Sequence, residues 1–193
     1  MKSLFLSSNL RFNKVLVYHT VSSTQDIARQ LVLSKTPAQV QEVVISAYCQ
    51  THGRGRHYEF WVSEPGGLYL SVIYKRQTSI INVENFTKDL ALIVKKGLEE
   101  LLPYGMLEIQ GINDLYLNGK KLVGILVETV SLGIFPVLPP YVYILGIGIN
   151  VNQNNFPKTL TKPATSLFCE FGKKFSRYEI LKSICQKLSD ELS

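Results

Sequence analysis

A single Asn-Gly pair, Asn118 and Gly119, limits the folds open to this chain more than any other feature. It separates the run 114–117 from the run 120–131, and both runs are rich in residues that favour strands. Because Asn-Gly readily adopts the positive φ angles of a two-residue turn, the pair predicts a β-hairpin. The hairpin would bring Lys121 back towards Asn113 and Asp114.

Four amphipathic stretches predict helices. Ser23 and Thr24 are good capping residues for the first, whose buried side is predicted to carry Ile27, Leu31 and Ala28. The second has a long apolar stripe that ends with Leu101, and this stripe is predicted to belong to the core. The predicted helices cover residues 22–34, 83–102, 164–171 and 176–192.

Apolar and β-branched runs predict the strands. These runs cover residues 15–18, 43–48, 67–74, 106–110, 114–117, 120–131 and 142–152. The proline-rich stretch 135–141 is predicted to be a loop. The order of the elements predicts an α+β fold, in which a mixed, mainly antiparallel sheet of about six or seven strands is packed by three or four helices.

Length and composition favour one cytoplasmic domain. At 193 residues, with 46% hydrophobic and 19% charged residues, the chain is typical of globular proteins. No apolar run approaches the roughly 20 residues that span a bilayer, so we expect no association with membranes. Ser and Asn residues interrupt the N-terminal apolar stretch before the core of a signal peptide can form.

The cysteines, the histidines and the net charge exclude few classes of function. The three cysteines have no C-x-x-C spacing, and the three histidines have no companion metal ligands. A net charge of +6 suits polyanionic small molecules, acidic proteins or nucleic acid, and charge alone does not choose among them. The sequence contains no helix-turn-helix, Walker or Rossmann motif.

The stretch 50–67, which joins two predicted strands, has the composition of an oxyanion-binding loop. Gly53 and Gly55 allow the backbone to approach a ligand closely, while Arg54 and Arg56 supply guanidinium groups that suit phosphate or carboxylate oxygens. Trp61 could supply a flat apolar face for a ring system. A mobile basic loop, or part of a nucleic-acid-binding segment, would have a similar composition.

Four stretches together carry the polar residues expected of a binding site, namely residues 23–24, 50–61, 113–121 and 146–150. They supply hydroxyl and amide groups for a neutral ligand, two arginines and a lysine for oxyanions, and an aspartate for a cation. This set of side chains is typical of a site in which a nucleotide activates a carboxylate.

These stretches resemble the catalytic domain of biotin protein ligases, over nearly the whole chain. The GRGR-x4-W signature of that family corresponds to Gly53, Arg54, Gly55, Arg56 and Trp61. Further family motifs match in the same order, with ST at 23–24, an SxPxGLY-like run at 63–69, NDLY at 113–116, KLxGILVE at 121–128 and GxGIN at 146–150.

The resemblance implies the fold shared by biotin and lipoate ligases and class II tRNA synthetases. It also implies a two-step reaction that uses ATP and Mg²⁺. The biotin carboxylate first attacks the α-phosphate of ATP, which yields biotinyl-5′-AMP and pyrophosphate. A lysine of the biotin carboxyl carrier protein of acetyl-CoA carboxylase then attacks the acyl carbon, and AMP leaves.

The resemblance also assigns roles to residues. Arg56 and Lys121 are implied to be catalytic, because they would hold the reacting carboxylate and α-phosphate, and Asp114 is implied to bind Mg²⁺. The implied biotin contacts are Ser23, Thr24, Gln50, Gly53, Arg54, Lys121, Gly124, Leu126 and Gly146. The implied contacts to ATP or the adenylate are Arg56, Trp61, Asn113, Asp114, Lys121 and Asn150.

Two departures from the family pattern concern the nucleotide. The family usually has K-W-P before N-D, whereas this chain has QGI at 110–112, so Gln110 replaces a lysine. Many members have an arginine where this chain has Glu59. Both changes remove positive charge near the expected phosphates, and weaker ATP binding is therefore expected.

The resemblance implies that residues 1–193 form one catalytic domain. The N-terminal winged helix of the repressor-type ligases is expected to be missing, and with it DNA binding, and a small C-terminal SH3-like domain is expected to be absent or truncated. The sequence is compatible with a monomer and with a homodimer formed through the sheet. The alternative functions are a lipoate or octanoate ligase, a catalytically weak biotin-binding module and a nucleic-acid-binding domain.

Overall fold

One eight-stranded sheet organises the part of the chain that the computed structural model describes, which is residues 1–56, 59–77, 79, 82–103, 105–130 and 141–192. The strands are β1 Lys2–Phe5, β2 Lys14–Val21, β3 Val44–Gln50, β4 Leu68–Arg76, β5 Leu107–Gln110, β6 Asp114–Leu117, β7 Lys120–Val130 and β8 Tyr141–Ile149. They lie in the order β1-β2-β3-β4-β8-β7-β6-β5, in which β2 and β3 are parallel and the other neighbours antiparallel. The predicted α+β fold is confirmed, with β1 as an additional strand.

The described residues form four α-helices beside the sheet: α1 Thr24–Leu33, α2 Val83–Glu99, α3 Leu167–Phe171 and α4 Arg177–Glu191. A short 3₁₀ helix, Pro37–Gln39, follows α1. The prediction that Leu101 lies in the core is wrong, because α2 ends two residues earlier and the Leu101 side chain is 39% exposed. No helix in the described ranges is long and apolar enough to cross a membrane. The predicted loop 135–141 falls outside the described residues except for Tyr141, which begins β8.

The two faces of the sheet are covered by different helices. On one face, Val44, Val72 and Leu145 belong to the large core that α2 and α4 complete. On the other face, Ile45, Ile73 and Ile144 belong to a smaller core with α1. Because successive strand residues point to opposite faces and both faces are covered, β4 and β8 are each buried at seven of their nine positions.

The smaller core stops where glycine replaces the large side chains. Along β8, Ile144 is followed on the same face by Gly146 and Gly148, and on β7 Gly124 pairs with Gly148. Glycines leave the sheet surface bare, so a hollow forms beside the N-terminus of α1. Residues 54–56 and 59–62 after β3, and residues between 156 and 164 after β8, line this hollow, and the candidate site is formed there.

Candidate active site

Between β3 and β4, residues 53–55 pair with residues 59–61 over the hollow. The backbone N of Gly55 donates to the carbonyl of Glu59 (2.7 Å), and that of Trp61 donates to the carbonyl of Gly53 (2.9 Å). A Cβ at position 53 would lie 2.4 Å from both Ser63 Oγ and the Trp61 carbonyl oxygen, so this closure requires glycine. Gly53 is buried in the loop and does not line the cavity, unlike the other residues that the sequence predicts for the site.

The Trp61 ring lies against the bare part of the sheet. A Cβ at Gly124 would be 2.6 Å from Cζ3 of the ring, and a Cβ at Gly148 would be 2.6 Å from Cε2 and Nε1. These two glycines are paired in register on neighbouring strands. Lys121 Nζ lies 5.3 Å from the ring centroid, within range of a cation–π interaction. Trp61 therefore forms one wall of the cavity.

The cavity encloses about 240 Å³. Of the residues predicted from the sequence, it is lined by Ser23, Thr24, Gln50, Arg54, Arg56, Trp61, Asn113, Asp114, Lys121, Gly124, Leu126, Gly146 and Asn150. The segment after β8 adds lining residues that the sequence did not single out, namely Phe156, Leu160, Thr161, Lys162 and Ala164. This segment has no regular periodicity, so only the folded chain shows that it covers the site.

A chain of hydrogen bonds fixes Gln50. Its Oε1 accepts from the backbone N (2.8 Å) and the Oγ1 (3.1 Å) of Thr24, and its Nε2 donates to Ser63 Oγ (2.7 Å). Fully buried Ser71 donates to Thr24 Oγ1 (2.8 Å), and Ser63 donates to the carbonyl oxygen of Trp61 (3.0 Å). One polar network therefore holds together the start of α1, the end of β3 and residues 61–63 of the segment that follows β3.

A β-bulge places Lys121 on the same face as the rest of the site. The register between β6 and β7 shifts so that Tyr116 pairs with Lys121 while Leu115 pairs with Val123. Without this shift, residues 121 and 124 would point to opposite faces of the sheet. Lys121 Nζ forms an ion pair with Asp114 Oδ2 at 2.8 Å. This confirms the prediction that the hairpin returns Lys121 to Asp114.

Arg56 and Asn113 form a second polar pair. Arg56 Nη1 donates to Asn113 Oδ1 (3.2 Å), and Asn113 Nδ2 donates to the carbonyl oxygen of Ile125 (3.1 Å). Arg56 has no carboxylate partner among the described residues. Its positive charge is therefore available to an anionic ligand, whereas the charge of Lys121 is partly balanced by Asp114.

Buried side chains support the far end of β8. Asn150 is buried, and its Oδ1 accepts from Gln153 Nε2 (3.1 Å). Gln153 Nε2 also donates to Tyr69 Oη (3.1 Å), which in turn donates to the carbonyl oxygen of Glu64 (2.6 Å). Burial raises the pKa of Tyr69 well above its usual value, so the phenol stays neutral and keeps its donor.

Arg54 lies between two carboxylates. Its Nη2 is 2.9 Å from Asp26 Oδ1 and 3.4 Å from Glu128 Oε2. Lys162 Nζ lies 4.0 Å from Asp114 Oδ2 and brings a further positive charge to the cavity, while Glu59 is exposed at its rim. No group of three or more potential metal-binding side chains occurs within the described ranges.

Four buried polar atoms around the cavity have no hydrogen-bond partner in the part of the chain that the structure describes. They are Gln25 Oε1, Arg54 Nε, Trp61 Nε1 and Asp114 Oδ1. Buried polar groups are nearly always paired in native proteins, and all four belong to residues that line the cavity. The cavity is therefore complementary to a ligand that offers both donors and acceptors.

Residues 17–150, which include most of this site, match the profile of the Biotin/lipoate A/B protein ligase family. The chain belongs to this family. It is 36% identical over 173 residues to the Bifunctional ligase/repressor BirA of Bacillus subtilis, and 27% identical over 203 residues to Biotin--protein ligase 2 of Arabidopsis thaliana. These matches cover 88% and 97% of the chain but 51% and 56% of the relatives, so the chain spans about half their length.

Solved structures of the family agree with the fold. The biotin protein ligase of Aquifex aeolicus in complex with biotin and ATP superposes with a TM-score of 0.76 at 30% identity, over 92% of this chain and 69% of that chain. The Leishmania major ligase in complex with biotinyl-5-AMP gives a TM-score of 0.73 at 24% identity, over 91% of this chain and 73% of that chain, which supports the fold alone. The resemblance to biotin protein ligases is therefore confirmed.

Proposed function

We propose that the protein attaches biotin to a lysine of the biotin carboxyl carrier protein of acetyl-CoA carboxylase, using ATP and passing through biotinyl-5′-AMP. The observation that carries this proposal is the convergence of Arg56, Lys121, Asn113 and Asp114 on the cavity that Trp61 and the Thr24–Gln50 network also line. The Aquifex aeolicus relative, which has this fold at 30% identity, was solved with biotin and ATP.

Activation of the carboxylate brings two anions together. A biotin carboxylate oxygen attacks the α-phosphorus of ATP, the bond to the bridging oxygen breaks, and pyrophosphate leaves. Preorganised positive charge lowers the barrier to such a step, because negative charge concentrates on the transferring group. Arg56, held by Asn113, and Lys121, held by Asp114, supply this charge to the same hollow.

Asp114 is suited to a magnesium ion that also binds phosphates. Its Oδ1 is buried and has no partner among the described residues, while its Oδ2 is paired with Lys121. Mg²⁺ usually keeps several waters and needs only one or two protein carboxylates, which fits a single aspartate. When bound, the ion would neutralise charge on the phosphates of ATP.

In the second step the carrier lysine attacks the acyl carbon of the adenylate, a carbon–nitrogen bond forms and AMP leaves. The carrier protein is accordingly the expected partner, and the cytoplasm the expected location. The edge strands β1 and β5 offer the surfaces through which a homodimer would pair. Nothing in this mechanism requires DNA.

The transfer to a carrier tests this function directly. Purified protein, biotin, ATP and Mg²⁺ are incubated with an isolated biotin carboxyl carrier domain, and the carrier is examined by mass spectrometry. We expect the mass of one biotinyl group on one lysine, and none when ATP is omitted or when that lysine is replaced by alanine. An unmodified carrier, in a reaction where a known biotin ligase modifies it, would contradict the proposal.

A further inference from the structure

We propose that Gln153 is a positioning residue for the nucleotide site, which turns the amide of Asn150 so that its NH₂ group is offered to an acceptor oxygen of ATP or the adenylate. This inference rests on the proposed function, because it adds a residue to the nucleotide-binding part of that site. Gln153 itself does not line the cavity and belongs to none of the sequence motifs that point to the family.

The amide of Gln153 can point in only one direction. Its Oε1 accepts from the backbone N–H of Val151 at 2.8 Å, and a backbone N–H can only donate. The NH₂ end must therefore lie on the other side, where Nε2 is 3.1 Å from Asn150 Oδ1 and 3.1 Å from Tyr69 Oη. Because Gln153 is only 6% exposed, bulk water does not compete for either end of the amide.

The surroundings of Gln153 keep this amide in place. Gly67 packs against it, since a Cβ there would lie 2.7 Å from Gln153 Nε2. The hydroxyl of Tyr69 donates its one hydrogen to the carbonyl oxygen of Glu64 (2.6 Å), so it can only accept from Gln153. The backbone carbonyl oxygen of Gln153 accepts from Ser166 Oγ, just before α3. Gln153 is thus fixed through both its main chain and its side chain.

The direction of the Gln153 amide determines the direction of the Asn150 amide. A donor at Gln153 Nε2 requires Asn150 Oδ1 on that side, which places the Asn150 NH₂ group on the other. There Nδ2 is 3.5 Å from the carbonyl oxygen of Lys121, a long contact that uses at most one of its two hydrogens. Asn150 is buried and lines the cavity, so the other hydrogen is available to a ligand.

This direction suits a nucleotide. The oxygens of an ionised phosphate accept hydrogen bonds and donate none, so they match an NH₂ group and repel a carbonyl oxygen. If Asn150 turned over, its Oδ1 would replace the donor, and one hydrogen bond would be exchanged for a repulsive contact. Gln153 should therefore affect binding of ATP and leave binding of biotin, whose implied contacts do not include Asn150, unchanged.

The substitution Gln153→Met tests this role, since methionine keeps the length of the side chain and lacks the amide. We expect KM for ATP in ATP–pyrophosphate exchange to rise at least about fivefold, because Asn150 is then free to turn, while KM for biotin stays unchanged. Gln41→Met, at an exposed position before β3, is the matched control and should behave like the wild type. Equal changes in both KM values for Gln153→Met would indicate a general structural defect and overturn the inference.

A double-mutant cycle shows whether Gln153 acts through Asn150. Asn150→Ala should raise KM for ATP, and the addition of Gln153→Met should then change that KM less than about twofold, because the side chain to be positioned is gone. If the effects of the two substitutions multiply instead, Gln153 acts independently of Asn150 and the inference is wrong.

A crystal structure of the wild-type protein with biotin and a nonhydrolysable ATP analogue tests the geometry without any substitution. We expect Asn150 Nδ2 to lie within about 3.2 Å of an oxygen of the analogue, while Oδ1 still accepts from Gln153 Nε2. An analogue that Asn150 does not contact, or an Asn150 side chain separated from Gln153, would contradict the proposed role.

Failure of the inference and failure of the proposed function can be told apart. If wild-type protein supports exchange with biotin while Gln153→Met is unaffected, the inference alone is overturned. If properly folded wild-type protein neither binds biotin nor supports exchange, the proposed function falls and the inference with it.

Discussion

At the scale of single residues, Gly124 and Gly148 determine where the Trp61 ring lies. Neighbouring strands bring the two glycines together, and the ring occupies the space that their side chains would fill. Glycine at these positions has a steric role, since a Cβ at either would lie 2.6 Å from ring atoms. Only glycine at positions 124 and 148 leaves room for the Trp61 ring in this position.

We predict that Gly148→Ala displaces Trp61 towards solvent and weakens adenylate formation. Trp61 is the only tryptophan in the sequence, so its fluorescence reports its surroundings without ambiguity. The emission maximum of the variant should shift to longer wavelength, because the ring loses its contact with the sheet. Thr129→Ala, an exposed position on β7, should leave the spectrum unchanged. An unshifted spectrum for Gly148→Ala would contradict the placement of the ring.

We predict that Arg56→Ala and Lys121→Ala each slow biotinyl-5′-AMP formation at least about tenfold, or about 1.4 kcal/mol of transition-state stabilisation. Each variant removes one of the positive charges that the proposed reaction needs. Single-turnover formation of the adenylate is the measurement. Lys120→Ala removes a lysine that pairs with Glu170 outside the cavity, and its rate should match that of the wild type. A wild-type rate in Arg56→Ala or Lys121→Ala would exclude that residue from the role proposed for it.

Charged site residues that belong to short motifs could be predicted from the sequence. Residues that reach the cavity only because of the tertiary fold could not. Arg56, Lys121 and Asp114 stand out by type and spacing, and the structure brings them to one cavity. Gln25 follows directly after a predicted cap and has no distinguishing spacing, so its buried acceptor becomes visible only beside Glu128, which is 103 positions away. Lys162 belongs to a segment without any periodic pattern.

At the scale of elements, the β6–β7 hairpin shows what a turn signal does and does not predict. Asn118 and Gly119 have φ angles of 50° and 73°, as a turn of this kind requires. The pair predicts the turn but not the register shift that follows, in which Tyr116 pairs with Lys121 and Leu115 pairs with Val123. That shift decides which face Lys121 occupies, and a bulge beside a site commonly re-aims a side chain in this way.

Helices α2 and α4 are packed closely through a glycine, and we predict that Gly97→Leu destabilises the protein. A Cβ at Gly97 would lie 3.3 Å from the Ile184 Cα, so a larger side chain must push the helices apart. Overpacking of this kind costs about 1–3 kcal/mol. Urea unfolding should show the loss, while Lys88→Leu, which adds the same side chain at an exposed position of α2, should show little change. Similar stability in the two variants would contradict the close packing of α2 and α4.

At the scale of the whole molecule, the sheet has the large core on one face and the candidate site on the other. The face covered by α2 and α4 holds the large core, whereas the opposite face holds the smaller core and, beyond it, the glycine-lined hollow. The positions of β2 to β8 along the chain could be predicted from apolar runs, whereas β1 was not predicted. Their order across the sheet could not be predicted, because β4 pairs with β8 across about seventy residues that no local pattern connects.

Cys185 reports on the integrity of the large core, because it is fully buried in α4. Burial raises the pKa of its thiol to about 12, so the reactive thiolate is scarce in the folded protein. We predict that, in a protein with Cys49→Ser and Cys169→Ser, a thiol reagent at pH 8 labels Cys185 only as fast as the molecule unfolds. In a second protein, with Cys49→Ser and Cys185→Ser, the only remaining cysteine is the exposed Cys169, and the reagent should label it at once. Rapid labelling of Cys185 in folded protein would contradict the described core.

Exchange of radioactive pyrophosphate into ATP tests the central claim most directly, because it isolates the activation of the carboxylate and needs no carrier protein. The measurement is made with biotin and Mg²⁺, and in parallel with lipoate. The site described above predicts exchange with biotin and none with lipoate, since Arg54, Arg56 and Trp61 of the GRGR-x4-W signature of biotin ligases line the cavity. Exchange with lipoate alone, or no exchange from folded protein that still binds biotin, would contradict it.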